Sequence, residues 1–470
     1  MRGGLKTQLG LVFVTALALR AGIGLWANGR GEMEGLAYRY ERDAYAMVAG
    51  YHFSTPVDNA PPQVDLITLA DSLGRRGEKI SPARVPSMNP ARWRPTSLHP
   101  PGYAAFLAVV YQIVGEPLFP WVKAIQAILD AAACVLLYFV GRRFGGHRVG
   151  RFAAWCAALF PPTAYLVTSR VADALMPAFM IGIFWLWLRA LETRRLAWFA
   201  LAGVALGLAC LFRPDYLLYP AFLFMGALAT VPLRTALAGS AVLALATFLV
   251  LVPWGLRNQR AHGAFNVTTH AGGMAMYQGL GQFPNPYGIV FDDEAMQRKV
   301  QAAGFEGIDD PRADQWFRAR YRQIARENPG LLIRNAVRRI PLGLVPLYRW
   351  GYDNRYYPGH GFYDYLQQGL SPSEAILRHP ADLLHAYWDR LLFGLIGLGL
   401  FAANVALIFD RRHWRWGLLL SLPYLYLVLS HLPIMLGARL LVPAVFGQFI
   451  ALGIWVERLV FHRPVEESPR

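Results

Sequence analysis

The carboxylates of Asp43 and Asp173, the ring of His99, the phenol of Tyr103 and the guanidinium groups of Arg170, Arg257 and Arg439 fall outside or at the ends of the long apolar runs. Ionisable groups at the mouth of an apolar bundle are costly unless they are paired, solvated or used. A carboxylate so placed can take a proton from a hydroxyl, and the planar fork of arginine suits phosphate oxygens. Each residue also has an ordinary job open to it. Asp43, in "RYERDAYAMVAG" (39–50), can cap a helix. His99 can bond a loop carbonyl. Arg170 and Asp173, three apart at a helix start, can pair locally. Arg257, just after Trp254, can anchor at the membrane interface, and Arg439, beside Gly437, can snorkel from a span end.

The elements that must position these groups are apolar helices. The chain has 470 residues, 55% hydrophobic and 16% charged, well below the roughly 25% charge of a soluble domain. Apolar runs recur at 9–26, 121–140, 152–166, 172–191, 198–211, 216–233, 236–254, 391–409, 416–432 and 440–460. The pattern is that of an all-α polytopic membrane protein. The first run is too long for a typical signal-peptide core and reads as an uncleaved first span.

Charge sets the orientation. The start, with Arg2 and Lys6, and the short basic segments "GRRFGGHRVGR" (141–151), "ETRRL" (192–196) and "DRRHWR" (410–415) belong on the cytoplasmic side. All four fall there only if the apolar stretch in "HPPGYAAFLAVVYQIVG" (99–115) does not cross. At roughly 14 residues it is shorter than a normal span. It is therefore expected as an outer-side interfacial or re-entrant helix opened by Pro100 and Pro101. This gives about ten spans, both termini inside and two large outer loops, 28–118 and 255–390. The expected units are a membrane core at 1–254, an outer loop domain at 255–390 and C-terminal spans at 391–470. The site residues then share the outer face.

The net charge of +16 sits largely in short loops, and no nucleic-acid motif accompanies it, so nucleic acid is excluded as a partner. Cys134, Cys156 and Cys210 lie inside apolar runs and read as small hydrophobes. His262, His270 and His360 are not at metal-ligand spacing, and the glycines near 279 make no nucleotide loop. No cofactor is expected and no divalent metal is indicated. Lys123 and Asp130, seven apart, are expected to face one another as packing glue. Arg20 is open to the bundle or the outer interface. Arg213 and Asp215 in "FRPDY" either line a lipid groove or make a tight outer turn. The aromatic run "YRWGYDNRYYPGHGFYDY" (349–366) suits sugars, or an ordinary folded cap.

The stretches "ERDAY", "HPPGY" (99–103), "TSRVADALM" (168–176), "VPWGLRNQRAHGAFNVTTHAGGMAMYQG" (252–279) and "GARLLVP" (437–443), in this order, resemble the GT-C superfamily of membrane glycosyltransferases. Within it the chain is similar to the family of protein O-mannosyltransferases and the lipid A aminoarabinose transferase. "HPPGY" lacks the leucine of the commonest form, and Asp173 is followed by alanine rather than the more usual neighbours.

The resemblance implies an inverting transfer of a sugar from a polyprenyl-phosphate donor to an acceptor lipid, glycan or protein, among membrane lipids, on the outer (periplasmic) side of the cytoplasmic membrane. It implies a metal-independent or metal-optional enzyme. A phosphate departs as an anion without full protonation, so one carboxylate on the acceptor side suffices. Asp43 is the expected base, facing outward water and ionised, with Tyr40 and Tyr45 beside the acceptor path and Glu41 on another face. Asp173 is the second acidic candidate. His99, Tyr103, Arg170, Arg257 and Arg439 are expected to bind substrate, with Arg257 on the donor phosphate. An O-antigen ligase or polymerase using a diphosphate-linked glycan, and a lipid or glycan transporter, are the competing readings. No repeat between the chain halves favours the transporter.

Overall fold

The computed structural model describes residues 2–26, 34–48, 50, 52–56, 93–114, 119–344 and 371–461. The aromatic run at 349–366, His360, Glu116 and most of the proline-rich first loop lie outside the described residues.

A helix stands at each expected apolar run. Helix α1 is Arg2–Trp26, and α2, Glu34–Val48, follows it. Two short antiparallel strands, β1 (Ser54–Pro56) and β2 (Trp93–Pro95), pair Ser54 with Pro95. The all-helical expectation did not include them. Helix α3, Pro101–Val114, starts at the Pro-Pro step and is 14 residues long.

Next comes α4, Phe119–Leu159, a helical hairpin rather than one rod. Gly146 takes φ 73°, ψ −170°, a conformation open to glycine, and the chain reverses there. The arms pack so tightly that a Cβ on Gly150 would stand 2.6 Å from the Tyr138 carbonyl oxygen. Helices α5 (Pro161–Val167), α6 (Met176–Thr193), α7 (Leu196–Phe212), α8 (Tyr219–Leu228) and α9 (Leu233–His262) complete the first half. The run at 216–233 forms only the 10-residue α8, because Pro214 and Pro220 each restart the helix. Helix α9 continues past 254 and ends at Gly263 in the left-handed region.

Outside the bundle, α10 (Gly272–Gly279), α11 (Asp293–Ala302), α12 (Pro311–Glu327) and α13 (Pro329–Leu344) share a separate core around Met296, Val300, Phe317 and Leu331. Helix α14, Pro372–Arg378, leads to α15 (Pro380–Phe409), α16 (Trp414–His431), α17 (Ala438–Leu441) and α18 (Phe446–Leu459).

Among the described residues, five helices are long and apolar enough to cross a membrane, and a bent pair at 60° (Ala438–Ala444 with Phe446–Leu459) makes six. One of the five is the hairpin, whose two arms account for two of the expected runs. Arg20 faces the bundle. Its guanidinium is 2.6 Å from Asp130 and donates to the carbonyls of Ala157 and Ala158, fastening α1 to both arms. Asp130 is therefore Arg20's partner.

The basic segments gather at one end of the bundle. Arg143 pairs with Glu192 at 3.0 Å, Arg148 with Glu457 at 2.7 Å and Arg458 with Asp410 at 2.5 Å, and Arg151 donates to Gln8 at 2.8 Å. Four segments far apart in sequence thus share one end, as the charge pattern requires.

Candidate active site

Helix α2 lies against α3 through Tyr40, Ala44 and Tyr45, which meet Tyr103, Leu107 and Tyr111. The Tyr45 ring stacks on Tyr111 at 5.6 Å, and the Tyr40 ring meets Tyr103 edge-on at 5.1 Å. These tyrosines are packing residues, which corrects the expectation that they flank an acceptor path. Packing this face also buries the polar residues between them.

Asp43 is 1% exposed and lies mid-helix, so it neither faces water nor caps the helix. Arg42 Nη2 stands 3.3 Å from its Oδ1 and 3.8 Å from Asp309 of the outer layer. Burial pushes the Asp43 carboxyl up to about 7, with Asp309 adding to the rise and Arg42 opposing it. Glu41 is fully buried and pairs with Arg170. It is not the spare neighbour expected.

Asp173 does not pair with Arg170. The backbone there is not α-helical: Val171 is extended and Ala172–Leu175 is a 3₁₀ turn, so side chains three apart diverge. Arg170 turns to Glu41, and Asp173 turns to Arg213. Arg439 Nε lies 4.0 Å from the other Asp173 oxygen. Arg213 also grips Asp215, with Nε at 3.0 Å and Nη2 at 2.8 Å. His431 Nε2 stands 3.1 Å from Asp215 Oδ2. Burial raises the Asp215 carboxyl, but Arg213 and His431 outweigh it and hold the group well below the usual carboxylate range. Asp173, Arg213, Asp215, His431 and Arg439 are thus one charged cluster. Burial and the Asp173 charge push the Tyr40 phenol up, while Arg213 and Arg439 pull it down, so Tyr40 feels the field of the cluster.

His99 lies 5.0 Å from the Tyr40 ring. Its Nε2 is buried and has no hydrogen-bond partner among the described residues. Burial, with Arg39 and Arg42 nearby, pushes its pKa down to about 3, so the ring is neutral. Tyr103 is 0% exposed and its hydroxyl donates to Gln126 at 2.8 Å; Gln126 in turn donates to the Val167 and Ser169 carbonyls. Tyr103 therefore braces the bundle, which corrects its reading as a substrate ligand.

Arg257 is likewise engaged. Its guanidinium donates to the carbonyls of Phe53 at 2.5 Å and Thr96 at 2.7 Å, and lies over the Trp254 ring at 4.9 Å. It joins the end of α9 to both segments of the first outer loop. Beside it, Ser97 meets the rings of His262, at 3.1 Å, and His270. Among the described residues, no group of three or more His, Cys, Asp or Glu side chains converges as a metal-ligand set.

An apolar cavity of about 450 Å³ is lined by Phe106, Leu129, Ala133, Leu175, Phe179 and Phe212. Leu175 lies two residues after Asp173 and Phe212 immediately before Arg213, so two residues of the cavity lining are close in the chain to the charged cluster. Leu129 lies on the bundle exterior. Of the cluster, sequence reasoning named Asp173 and Arg439 and left Arg213 and Asp215 between two roles. It missed His431 and, outside the cluster, Asp309 beside Arg42; neither carries a local motif.

Residues 98–255, about a third of the chain, match the family model for dolichyl-phosphate-mannose-protein mannosyltransferase. The matched segment holds His99, Arg170, Asp173 and Arg213 and bears out the resemblance to GT-C glycosyltransferases. The chain is also similar to solved structures of an oligosaccharyltransferase from Archaeoglobus fulgidus. One, AglB in complex with an inhibitory peptide and a dolichol-phosphate, is 14% identical over 97% of this chain and 51% of that one, with a TM-score of 0.49. Another, tethered to an acceptor peptide, is 14% identical over 97% and 51%, with a TM-score of 0.48. The apo form is 12% identical over 97% and 52%, with a TM-score of 0.46. This chain spans about half the length of those proteins. No curated protein matches it.

Proposed function

We propose that this chain is an inverting membrane glycosyltransferase. It moves a sugar from a polyprenyl-phosphate donor to a hydroxyl of an acceptor lipid, glycan or protein at the outer face of the cytoplasmic membrane. The observation that carries this reading is that Arg213 and Arg439 both reach Asp173, close in the chain to residues that line an apolar cavity; Asp43, buried on α2, is the carboxylate assigned as the base. An amphiphile with an anionic head and an isoprenoid tail fits the cavity and the arginines together.

In the transfer, the acceptor oxygen bonds to the anomeric carbon as its proton passes to Asp43. The bond from that carbon to the phosphate oxygen breaks, and its electron pair leaves with the phosphate. Arg213 and Arg439 stabilise the departing anion. A carboxyl titrating at about 7 is a stronger base than an ordinary aspartate once ionised. The neutral His99 ring offers its unpartnered Nε2 to a sugar hydroxyl. Arg257 holds the outer loop through the Phe53 and Thr96 carbonyls, and the phosphate falls to the cluster arginines instead.

The outer-face assignment follows the charge rule: the basic segments gather at one end of the bundle. Mass spectrometry of a strain lacking the protein tests the reading. A polyprenyl-phosphate sugar should accumulate while one surface glycan or glycolipid loses a residue. Unchanged pools of both contradict it.

A further inference from the structure

The segment 432–437, between α16 and α17, is held by the outer layer at three points. Gln282 reads the backbone of Leu436 in both directions: its Nε2 donates to the carbonyl at 2.6 Å and its Oε1 accepts from the amide at 3.1 Å. Arg339, 1% exposed, donates to the carbonyl of Leu432 at 2.8 Å, to Gln282 Oε1 at 2.9 Å and to the carbonyl of Gly279 at 2.6 Å. Gly279 itself lies against Ile434, where a Cβ would come within 2.0 Å of the carbonyl oxygen.

The two ends of this segment carry the cluster's C-terminal members. His431 precedes it and faces Asp215; Arg439 follows it and faces Asp173. Gln282 and Arg339 touch neither carboxylate. Their hydrogen bonds fix the backbone from which both side chains are presented.

We infer that Gln282 and Arg339 are positioning residues for the anionic head of the donor lipid, acting through the 432–437 segment on Arg439 and His431. The inference rests on the proposed role of the cluster. It makes the outer layer part of the headgroup site, so that a shift of α10 or α13 is felt at Asp173. Gln282→Ala removes both contacts to Leu436. Arg339→Lys keeps a charge but loses the three-way fork.

The test is binding of undecaprenyl phosphate, without sugar, to the full-length protein in nanodiscs. Gln282→Ala and Arg339→Lys should each weaken binding about tenfold, since a small displacement of a binding group is costly. In an Arg439→Ala background, each should cost less than about twofold, because Arg439, the cation through which they act on the phosphate, is gone and His431 faces Asp215 rather than the phosphate. Equal losses in both backgrounds would overturn the inference and leave only general destabilisation. So would wild-type binding by both single variants. Should Gln282→Ala fail to elute as folded protein, the Arg339→Lys pair alone decides in the same way. Failure of the wild-type protein itself to bind the probe contradicts the reading of the site and removes this inference with it.

Discussion

Glu41 and Asp43 stand two residues apart in one helix and are both buried, yet they are held differently. Glu41 is paired with Arg170, brought in from 129 residues away. Asp43 has its own neighbour Arg42 at 3.3 Å, and burial raises its pKa to about 7. One carboxylate is held by an arginine from a distant segment; the other is paired with its chain neighbour, and burial shifts it toward neutral pH.

Glu41→Gln should therefore destabilise the protein. Removing one partner of a buried pair leaves an uncompensated charge, typically at a cost of about 3–5 kcal/mol. A clear drop in thermal midpoint in detergent, with Glu41→Gln/Arg170→Met recovering much of it, is the expected outcome. A wild-type midpoint for Glu41→Gln would show that the pair is not formed.

The pH dependence has a definite sign. Asp43 is raised from the ordinary 3.8 to about 7 in the fold, so the native state binds the extra proton between those values. Its contribution to stability is fully present below the ordinary value and is lost as pH rises through about 7. Catalysis runs the other way, because the base must be ionised. The acid limb of kcat/KM should lie near 7 rather than near 4. A flat profile from pH 5 to about 8 would argue against Asp43 as the base.

For the phosphate, Arg213→Lys should raise the donor KM by about tenfold, since lysine cannot hold Asp173 and Asp215 together while meeting a phosphate. Arg257→Lys should leave donor affinity unchanged and lower stability, because its guanidinium serves the Phe53 and Thr96 carbonyls. Titration of undecaprenyl phosphate into both variants decides between these sites, and the reverse pattern would return the phosphate to Arg257.

Orientation can be read by cysteine labelling. Asn285→Cys should react with an impermeant maleimide added to intact cells, and Arg194→Cys only after permeabilisation. The opposite result would put the charged cluster on the cytoplasmic side.

Much of the architecture was legible because hydropathy and loop charge act locally. Every apolar run became a helix, and the basic segments met at one end. Asp43 and His99 stood out as ionisable groups in the first outer loop, and Asp173 and Arg439 as ones at run ends. The pairings were not legible, because the partner of a buried ion is chosen by tertiary geometry. Arg170 and Asp173 look like a helical pair in the sequence, but the extended Val171 and the 3₁₀ turn separate them. Asp43 looked solvated because α2 is rich in polar residues, and its burial follows from the packing of α2 against segments distant in the chain. His431 had no motif; it joins the site only because α16 ends beside the turn holding Asp215.

The central claim is that Asp43 takes the acceptor proton in transfer from a polyprenyl-phosphate sugar. The most direct measurement is single-turnover release of polyprenyl phosphate from a donor pool extracted from the native membrane, by wild type and by Asp43→Asn. The account predicts release by the wild type, a fall of about 10²-fold or more in Asp43→Asn, and donor binding that is unchanged. Release by Asp43→Asn at the wild-type rate, with Asp173→Asn inactive, would contradict it and move the base to Asp173.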